Sequence, residues 1–355
     1  MRPGCGRELS RPIRAVSLAS PAMTRVLSGI QPTGDTHLGN YLGAIRNWVT
    51  DQHRHDAFYP IVDLHALTNP LEPGQLRAKT LEMAMILLAS GLDPEVCTLF
   101  VQSHVPEHAQ LGWLMECTVS VGELQRMTQY KDKSAKGRGE LVPAGILTYP
   151  ALQAADILLY DANYVPVGED QRQHIELTRD AATRFNFRYG ETFVIPEASI
   201  PDAGARVMDL QEPARKMSKS NDSPAGTVFV LDRPADILKK FKRAVTDSET
   251  EVRWDPEAKP GVSNLLSILG AATGTSGEKA AADFAGQGYG ALKVSAAEAV
   301  VEALRPVQER FAELAADPGE TGRLLAIGAA KAGSVARATL ARAYEAVGLL
   351  PPGQA

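Results

Sequence analysis

Two lysines, Lys216 and Lys219, stand three residues apart in "KMSKS" (216–220), inside the polar run 214–224. Such a run is by default a solvated surface loop. A nucleotide would give its lysines a use. Phosphoryl and nucleotidyl transfer load negative charge onto equatorial and leaving oxygens, and one fixed donor there is worth about 3 kcal/mol of transition-state stabilisation. A loop that engages only with bound triphosphate applies its charge where charge develops. A second stretch suits the same ligand. "SGIQPTGDTHLGN" (28–40) runs from a strand end through a turn to His37 and Gly39 at a helix start. Unpaired N–H groups and a partial positive charge favour phosphate at such a terminus. Gly39 would let a flat ring lie on the backbone, and His37 could donate to a phosphate oxygen. The plainer reading is a loop with an incidental histidine and a packing glycine.

Two more segments point inward. "TYPALQAAD" sets Tyr149, Gln153 and Asp156 at i, i+4 and i+7, on one helix face. An acid on a face otherwise made of Leu and Ala needs a partner if it is buried. "VPVGEDQRQH" passes from a strand end through Gly168 into a helix carrying Asp170 and Gln171. A carboxylate there can hold ribose hydroxyls, as in dinucleotide sites. Helix capping and solvation account for both segments equally well at this point.

These residues need a scaffold, and the pattern supplies an α/β one. Strands are expected at 24–31, 57–67, 97–102 and 163–167, with an extended segment at 191–198. Helices are expected between them at 37–49, 76–90, 144–160 and 169–186. The alternation implies a parallel sheet with right-handed crossovers and ligands at the carboxyl ends of its strands. Beyond Asp232 strand signals fade, and helical runs follow at 236–245, 263–273, 295–317 and 321–350, so a domain boundary falls near 225–232.

The 355 residues suffice for two domains, and 44% apolar with 22% charged residues is ordinary for a globular chain. A net charge of −5 gives no support to a broad nucleic-acid coat, although a local basic strip such as "KKFKR" (239–243) remains open. No run of eighteen apolar residues suggests a membrane span. Cys5, Cys97 and Cys117 match no metal spacing and fit a reducing compartment. The Arg- and Ser-rich stretch 1–22 reads as a disordered extension or a misassigned start before Met23. An organellar transit peptide shares that composition, and otherwise a cytoplasmic location is expected.

Taken together, the motifs resemble the class I aminoacyl-tRNA synthetases. "HLGN" (37–40) looks like their HIGH signature, and "KMSKS" is their second signature complete. Within that class the chain is similar to the bacterial and mitochondrial tryptophanyl-tRNA synthetases. The likeness is carried by "SGIQPTG" (28–34), "GELQRMTQYKDKS" (122–134), "LTYPALQAADILLY" (147–160), "VPVGEDQRQHIELTRD" (165–180), "AVTDSE" (244–249), "KPGVSNLL" (259–266) and "LRPVQERF" (304–311). It covers 24 to 348.

The resemblance implies a Rossmann-type catalytic domain over 23–228 and a helical anticodon-binding domain over 229–330. A C-terminal helix and tail, 331–355, would return to the catalytic domain. It implies a homodimer that uses ATP with Mg²⁺ to make tryptophanyl-adenylate and then charges tRNA(Trp), with no membrane partner and no protein-held metal. Gly29, Ile30, Gln31, His37, Gly39 and Asn40 would line the nucleotide site with Gly168 and Asp170. Val207 and Met217 would flank adenine, beside Ser218 and Ser220. Lys133, Lys216 and Lys219 would reach the phosphates, with His37 as a further catalytic group. Leu27, Val165, Val167 and Gln153 would wall the indole, and Asp156 would accept its N–H. Tyr149, Gln171 and Gln31 would hold the amino-acid backbone. Two positions depart from the pattern: many members have Thr at His37 and Met at Gln153. The alternatives are a tyrosyl-tRNA synthetase, a small nucleotidyltransferase, or a tryptophan-binding regulator that charges no tRNA.

Overall fold

A computed structural model describes residues 23–69, 71–72, 74–131, 142–168, 171–199, 206–218 and 225–353. The expectations placed on 1–22, Lys133, Asp170, Lys219 and Ser220 lie outside the described residues. Five strands form one parallel sheet in the order β3-β2-β1-β4-β5: β1 (Arg25–Leu27), β2 (Asp56–Ile61), β3 (Thr98–Val101), β4 (Tyr164–Pro166) and β5 (Glu197–Ser199). Parallel strands need long crossovers, and the helices that make them cover both sheet faces. Alternate strand residues therefore serve two cores. Phe58 and Phe100 enter one, while Tyr59, Ile61, Leu99 and Val101 enter the other. Each such side chain, once buried, contributes about 1.5–3 kcal/mol.

The first crossover opens with α1 (Leu38–Asn40), widens through a π-helical turn (Tyr41–Ile45) and continues as α2 (Arg46–Asp51). Leu38, Leu42 and Ile45 of the expected stripe are buried, and the wide turn brings Tyr41 and Trp48 in beside them. The second strand stops earlier than expected. "DLHA" is not its tail but a short helix, α3 (Asp63–Ala66). The cause is tertiary: Asp63 accepts the Ser103 N–H at 2.9 Å, and Gln102 Oε1 accepts the Leu64 N–H at 3.1 Å. The remaining described α-helices before residue 200 are α4 (Gln75–Ala89), α5 (Glu107–Glu116), α6 (Val121–Arg126), α7 (Gly145–Leu158) and α8 (Arg172–Tyr189).

A helical C-terminal region follows: α9 (Pro234–Lys242), α10 (Pro260–Thr273), α11 (Gly277–Ala282), α12 (Tyr289–Ala316) and α13 (Pro318–Val347). It shares a core with the sheet, since Ile237, Phe241, Leu265 and Leu304 join the cluster that holds Tyr59 and Ile61. Phe241 is fully buried there. "KKFKR" is therefore a basic face with Lys239, Lys242 and Arg243 outward and its aromatic inward. The last helix runs unbroken from residue 318 and packs on β3, the edge strand, with α4 and α5 beside it. The approach is close enough that a Cβ at Gly328 would collide with the Leu99 carbonyl oxygen. By length and composition α13 alone among the described helices could cross a bilayer. Here its apolar side covers a strand edge, a usual way to block edge pairing.

Candidate active site

Strand order reverses between β1 and β4, and in open parallel sheets ligands sit at that switch point, beyond the carboxyl ends. Gly29, Ile30 and Gln31 leave β1 there, and Val167, Gly168 and Gln171 leave β4. The two exits are joined by Ser28 Oγ donating to the Pro166 carbonyl at 3.1 Å. Gly29 is exposed and Gln31 half-buried, so both face the crevice. Ile30 differs. Its N–H donates to the Pro60 carbonyl at 3.1 Å and its carbonyl accepts from Val62 at 2.9 Å, so its main chain belongs to the sheet. On the β4 side, Gln171 N–H donates to the Gly168 carbonyl at 2.9 Å.

The lysine stretch is the return arm of a hairpin. Met217 N–H donates to the Val207 carbonyl at 3.0 Å, Asp209 N–H to the Arg215 carbonyl at 2.9 Å, and Met208 bridges Lys216. Beyond 224 the chain comes back across the hairpin. Thr227 Oγ1 donates to the Ser218 carbonyl at 3.1 Å, and Leu210 N–H to the Gly226 carbonyl at 2.9 Å. It then pairs with the "HLGN" turn: Leu38 N–H donates to the Val228 carbonyl and Val230 N–H to the Thr36 carbonyl, each at 2.8 Å. The two signatures, almost two hundred residues apart, are thus strapped together by backbone hydrogen bonds.

His37 caps its own helix. Its Nδ1 accepts the Asn40 N–H at 3.3 Å, and Asn40 Oδ1 accepts the His37 N–H at 3.3 Å. A ring nitrogen that accepts carries no proton, so in the neutral imidazole the hydrogen sits on Nε2. Gly39 has a steric reason to be glycine. A Cβ there would stand 3.0 Å from His37 Nδ1 and 3.6 Å from Val207 Cβ. Val207 and Met217 are each 1% exposed and their side chains sit in the hydrophobic cluster, so an adenine would meet this hairpin along its backbone edge.

Asp156 is held from several sides. It is buried on α7, and every donor aimed at it comes from beyond the carboxyl ends of β2 and β3. His65 Nε2 lies 2.8 Å from Oδ2, and His108 Nδ1 lies 2.6 Å from Oδ1. Gln102 Nε2 donates to both oxygens, at 2.8 and 2.9 Å. An ionised carboxylate only accepts, so both imidazole nitrogens carry hydrogen. His108 Nε2 is then left to accept the Tyr160 O–H in the neutral ring, at 2.8 Å. Burial alone would raise the Asp156 pKa, but the two histidines and their hydrogen bonds outweigh it and hold the carboxyl down at about 2. Four contacts use the roughly four lone-pair positions of a carboxylate. Any further donor would therefore have to share or displace one of them.

Tyr149, about two turns before Asp156, uses its hydroxyl on Gln129 Oε1 at 2.9 Å and on His174 Nε2 at 2.7 Å. Burial drives its pKa upward. Leu27 and Val165 are buried in the same cluster as the strands, whereas Val167, Gln153 and Gln171 are half-buried.

The family model described as tRNA synthetases class I (W and Y) matches residues 21–305. The chain belongs to that family. Among its relatives, a tryptophan–tRNA ligase 2 of Streptomyces avermitilis is 57% identical over 328 residues, covering 92% of this chain and 97% of that one. The tryptophan–tRNA ligase of Leifsonia xyli subsp. xyli is 55% identical, covering 92% and 98%. Among solved structures, tryptophanyl-tRNA synthetase from Mycoplasma pneumoniae matches with a TM-score of 0.86 at 38% identity, covering 92% of this chain and 98% of that one. The Campylobacter jejuni enzyme, complexed with ADP and tryptophan, matches with a TM-score of 0.78 at 34% identity, covering 92% and 100%.

In this class I synthetase, residues that the sequence does not mark surround the expected ones. His65, Gln102, His108, Gln129 and His174 were not singled out, although the first three control Asp156. The available signal was "DLHAL" and "VQSHVPEHAQ": polar residues directly after buried strands of a parallel sheet, where ligand-facing side chains collect.

Proposed function

We propose that this synthetase is a tryptophan–tRNA ligase. It activates L-tryptophan with ATP to tryptophanyl-adenylate and pyrophosphate, then transfers tryptophan to the 3′ end of tRNA(Trp). The observation that carries the reading is one ionised, buried carboxylate, Asp156, at the carboxyl edge of the sheet whose switch point also gathers the "HLGN" turn and the lysine hairpin. Tryptophan has a single ring N–H, and a site built around one buried acceptor penalises competitors that leave it unpaired. Tyrosine also brings a donor, so pocket length must exclude it.

In the first step a tryptophan carboxylate oxygen bonds to the α-phosphorus, and the bond from that phosphorus to the bridging oxygen breaks, with pyrophosphate leaving. In the second, the terminal ribose hydroxyl of tRNA attacks the activated carbonyl and AMP leaves with the electron pair. No protein nucleophile is needed; the enzyme positions the reactants and stabilises charge. Lys216, with Lys133 and Lys219, and His37 through Nε2–H bind the phosphates. Mg²⁺ arrives with the triphosphate as part of the substrate. Gly29, Gln31, Asn40, Gly168 and Asp170 hold the nucleotide, with the backbone of Val207 and Met217 along adenine. Leu27, Val165, Val167 and Gln153 wall the indole. Tyr149, Gln171 and Gln31 orient the amino acid.

The helical region after residue 229 reads the anticodon, with Lys239, Lys242 and Arg243 as a phosphate-facing strip. The enzyme works in the cytoplasm as a homodimer. The dimer face is the apolar surface of α3, α5 and α6, where Leu67, Trp113 and Val121 are each at least 60% exposed. A cavity of about 400 Å³ opens there between α5 and α7. The decisive experiment is tryptophan-dependent ATP–pyrophosphate exchange, with tyrosine in parallel, followed by charging of tRNA(Trp) and of a tRNA with a mismatched anticodon. Exchange driven by tyrosine, or adenylate formed without tRNA charging, would overturn the reading.

A further inference from the structure

Two side-chain amides of the helical region grip the backbone around the lysine hairpin, one on its entering arm and one on the chain that returns across it. On the entering arm, Asn264 of α10 is buried and pairs with Met208 in both directions. Its Oδ1 accepts the Met208 N–H at 2.9 Å and its Nδ2 donates to the Met208 carbonyl at 2.9 Å. On the segment that returns across the hairpin, Gln308 of α12 donates Nε2 to the carbonyls of Val230, at 2.7 Å, and Asp232, at 2.9 Å.

The residues they grip are the ones that set the site. Met208 is the residue bridged to Lys216 across the hairpin, and Val230 is the residue whose N–H binds Thr36, next to His37. Asn264 acts as one rung of a sheet would, satisfying the donor and the acceptor of a single residue. Its helix is in turn immobilised, because Leu265, Leu266 and Ile268 are fully buried and a Cβ at Gly261 would collide with the Val245 carbonyl oxygen. Val245 closes the circuit by donating its N–H to the Leu210 carbonyl at 2.8 Å, inside the hairpin.

We propose that Asn264 and Gln308 are positioning residues for adenylate formation. They fix the entering arm of the lysine hairpin and the segment that returns from it to the helical region, so that Lys216 is held in register with the His37 turn and any shift of the helical region is felt at the phosphates. This rests on Lys216 being a phosphate-binding residue, as proposed above. Neither amide belongs to the tryptophan pocket, so the consequences should be confined to ATP and to turnover.

The test compares wild type, Asn264→Leu, Asn264→Asp and Gln308→Leu, each also combined with Lys216→Ala, in tryptophan-dependent ATP–pyrophosphate exchange. ATP and tryptophan are varied separately. Misplacing a catalytic group by about 1 Å can cost about 100-fold, and a loss of about 10- to 100-fold in kcat is expected for Asn264→Leu. The KM for tryptophan should stay within about 2-fold, since the clamp is remote from that pocket. Asn264→Asp keeps the acceptor but loses the donor and should fall between. In the Lys216→Ala background the leucine substitution should add less than about 2-fold, because the side chain it positions is gone. Wild-type turnover in Asn264→Leu would overturn the proposal. So would losses that multiply fully with Lys216→Ala, or a tryptophan KM that rises in step with the fall in kcat. If Asn264→Leu does not fold, the same readings apply to Asn264→Asp and Gln308→Leu. If wild type itself shows no exchange, the proposed function fails, and the clamp is judged by amide hydrogen exchange. Lost protection at Met208 and Lys216 in Asn264→Asp sustains it; unchanged protection overturns it.

Discussion

Replacing Asp156 by Asn keeps the shape of the side chain and changes only what it can accept. The amide has one oxygen where the carboxylate has two, and its NH₂ must face either His108 or His65, both of which now present N–H groups at 2.6 and 2.8 Å. One of the histidines has to change tautomer or turn away. For His108 that also disturbs the bond to Tyr160. The indole N–H loses a charged acceptor, and a hydrogen bond to a charged group contributes about 1.5–3 kcal/mol. At about 1.4 kcal/mol per factor of ten, kcat/KM for tryptophan should fall about 10- to 150-fold. In the proposed site ATP binds apart from this network, so its KM should stay within about 2-fold. Asn is the substitution to use, because Ala would strand three buried donors at about 1–3 kcal/mol each and threaten the fold. The assay is ATP–pyrophosphate exchange with each substrate varied in turn, supported by equilibrium binding of tryptophan alone. Equal losses toward both substrates, or unchanged tryptophan binding, would refute the assignment of Asp156.

Three further outcomes are expected. Gly39→Ala sets a methyl 3.0 Å from His37 Nδ1, so the ring must move; exchange should slow about 10-fold with tryptophan binding intact, and a wild-type rate would argue against His37. Gly328→Val drives a branched side chain into the Leu99 carbonyl, and should lower the unfolding free energy by about 1–3 kcal/mol in urea titrations. For pH, the Asp156 carboxyl is depressed from 3.8 to about 2, so its stabilisation is complete above about 4 and is lost as pH falls from there toward 2. The stability gap between wild type and Asp156→Asn should accordingly narrow as pH falls below about 4; a gap that stays constant down to about pH 2 would place the linkage elsewhere.

What was legible in the sequence was local or periodic. Leu38, Leu42 and Ile45 announced a buried helix face because their spacing is the evidence. The two signatures announced a nucleotide site because their residue types suit phosphate. What was not legible depends on distant partners. Asp156 was expected to need company, but His65, Gln102 and His108 lie 91, 54 and 48 residues away, and only folding makes them neighbours. "DLHA" read as strand because its own residues permit it, and became helix through bonds to Gln102 and Ser103. "KKFKR" was open as a basic strip, and its Phe241 is core because α9 turns that side inward. The π-helical turn at Tyr41–Ile45 carries no sequence mark at all. Asn264 was visible only as a letter within a family motif, and its grip on Met208 required both segments in place.

The proposed chemistry depends most on a cation held by the hairpin acting on the triphosphate. The direct measurement is single-turnover formation of tryptophanyl-adenylate by Lys216→Ala, mixed rapidly with saturating ATP and tryptophan. Loss of one such donor costs about 3 kcal/mol in the transition state, so the rate should drop about 100-fold while tryptophan binding is unchanged. Adenylate forming at the wild-type rate would contradict the mechanism.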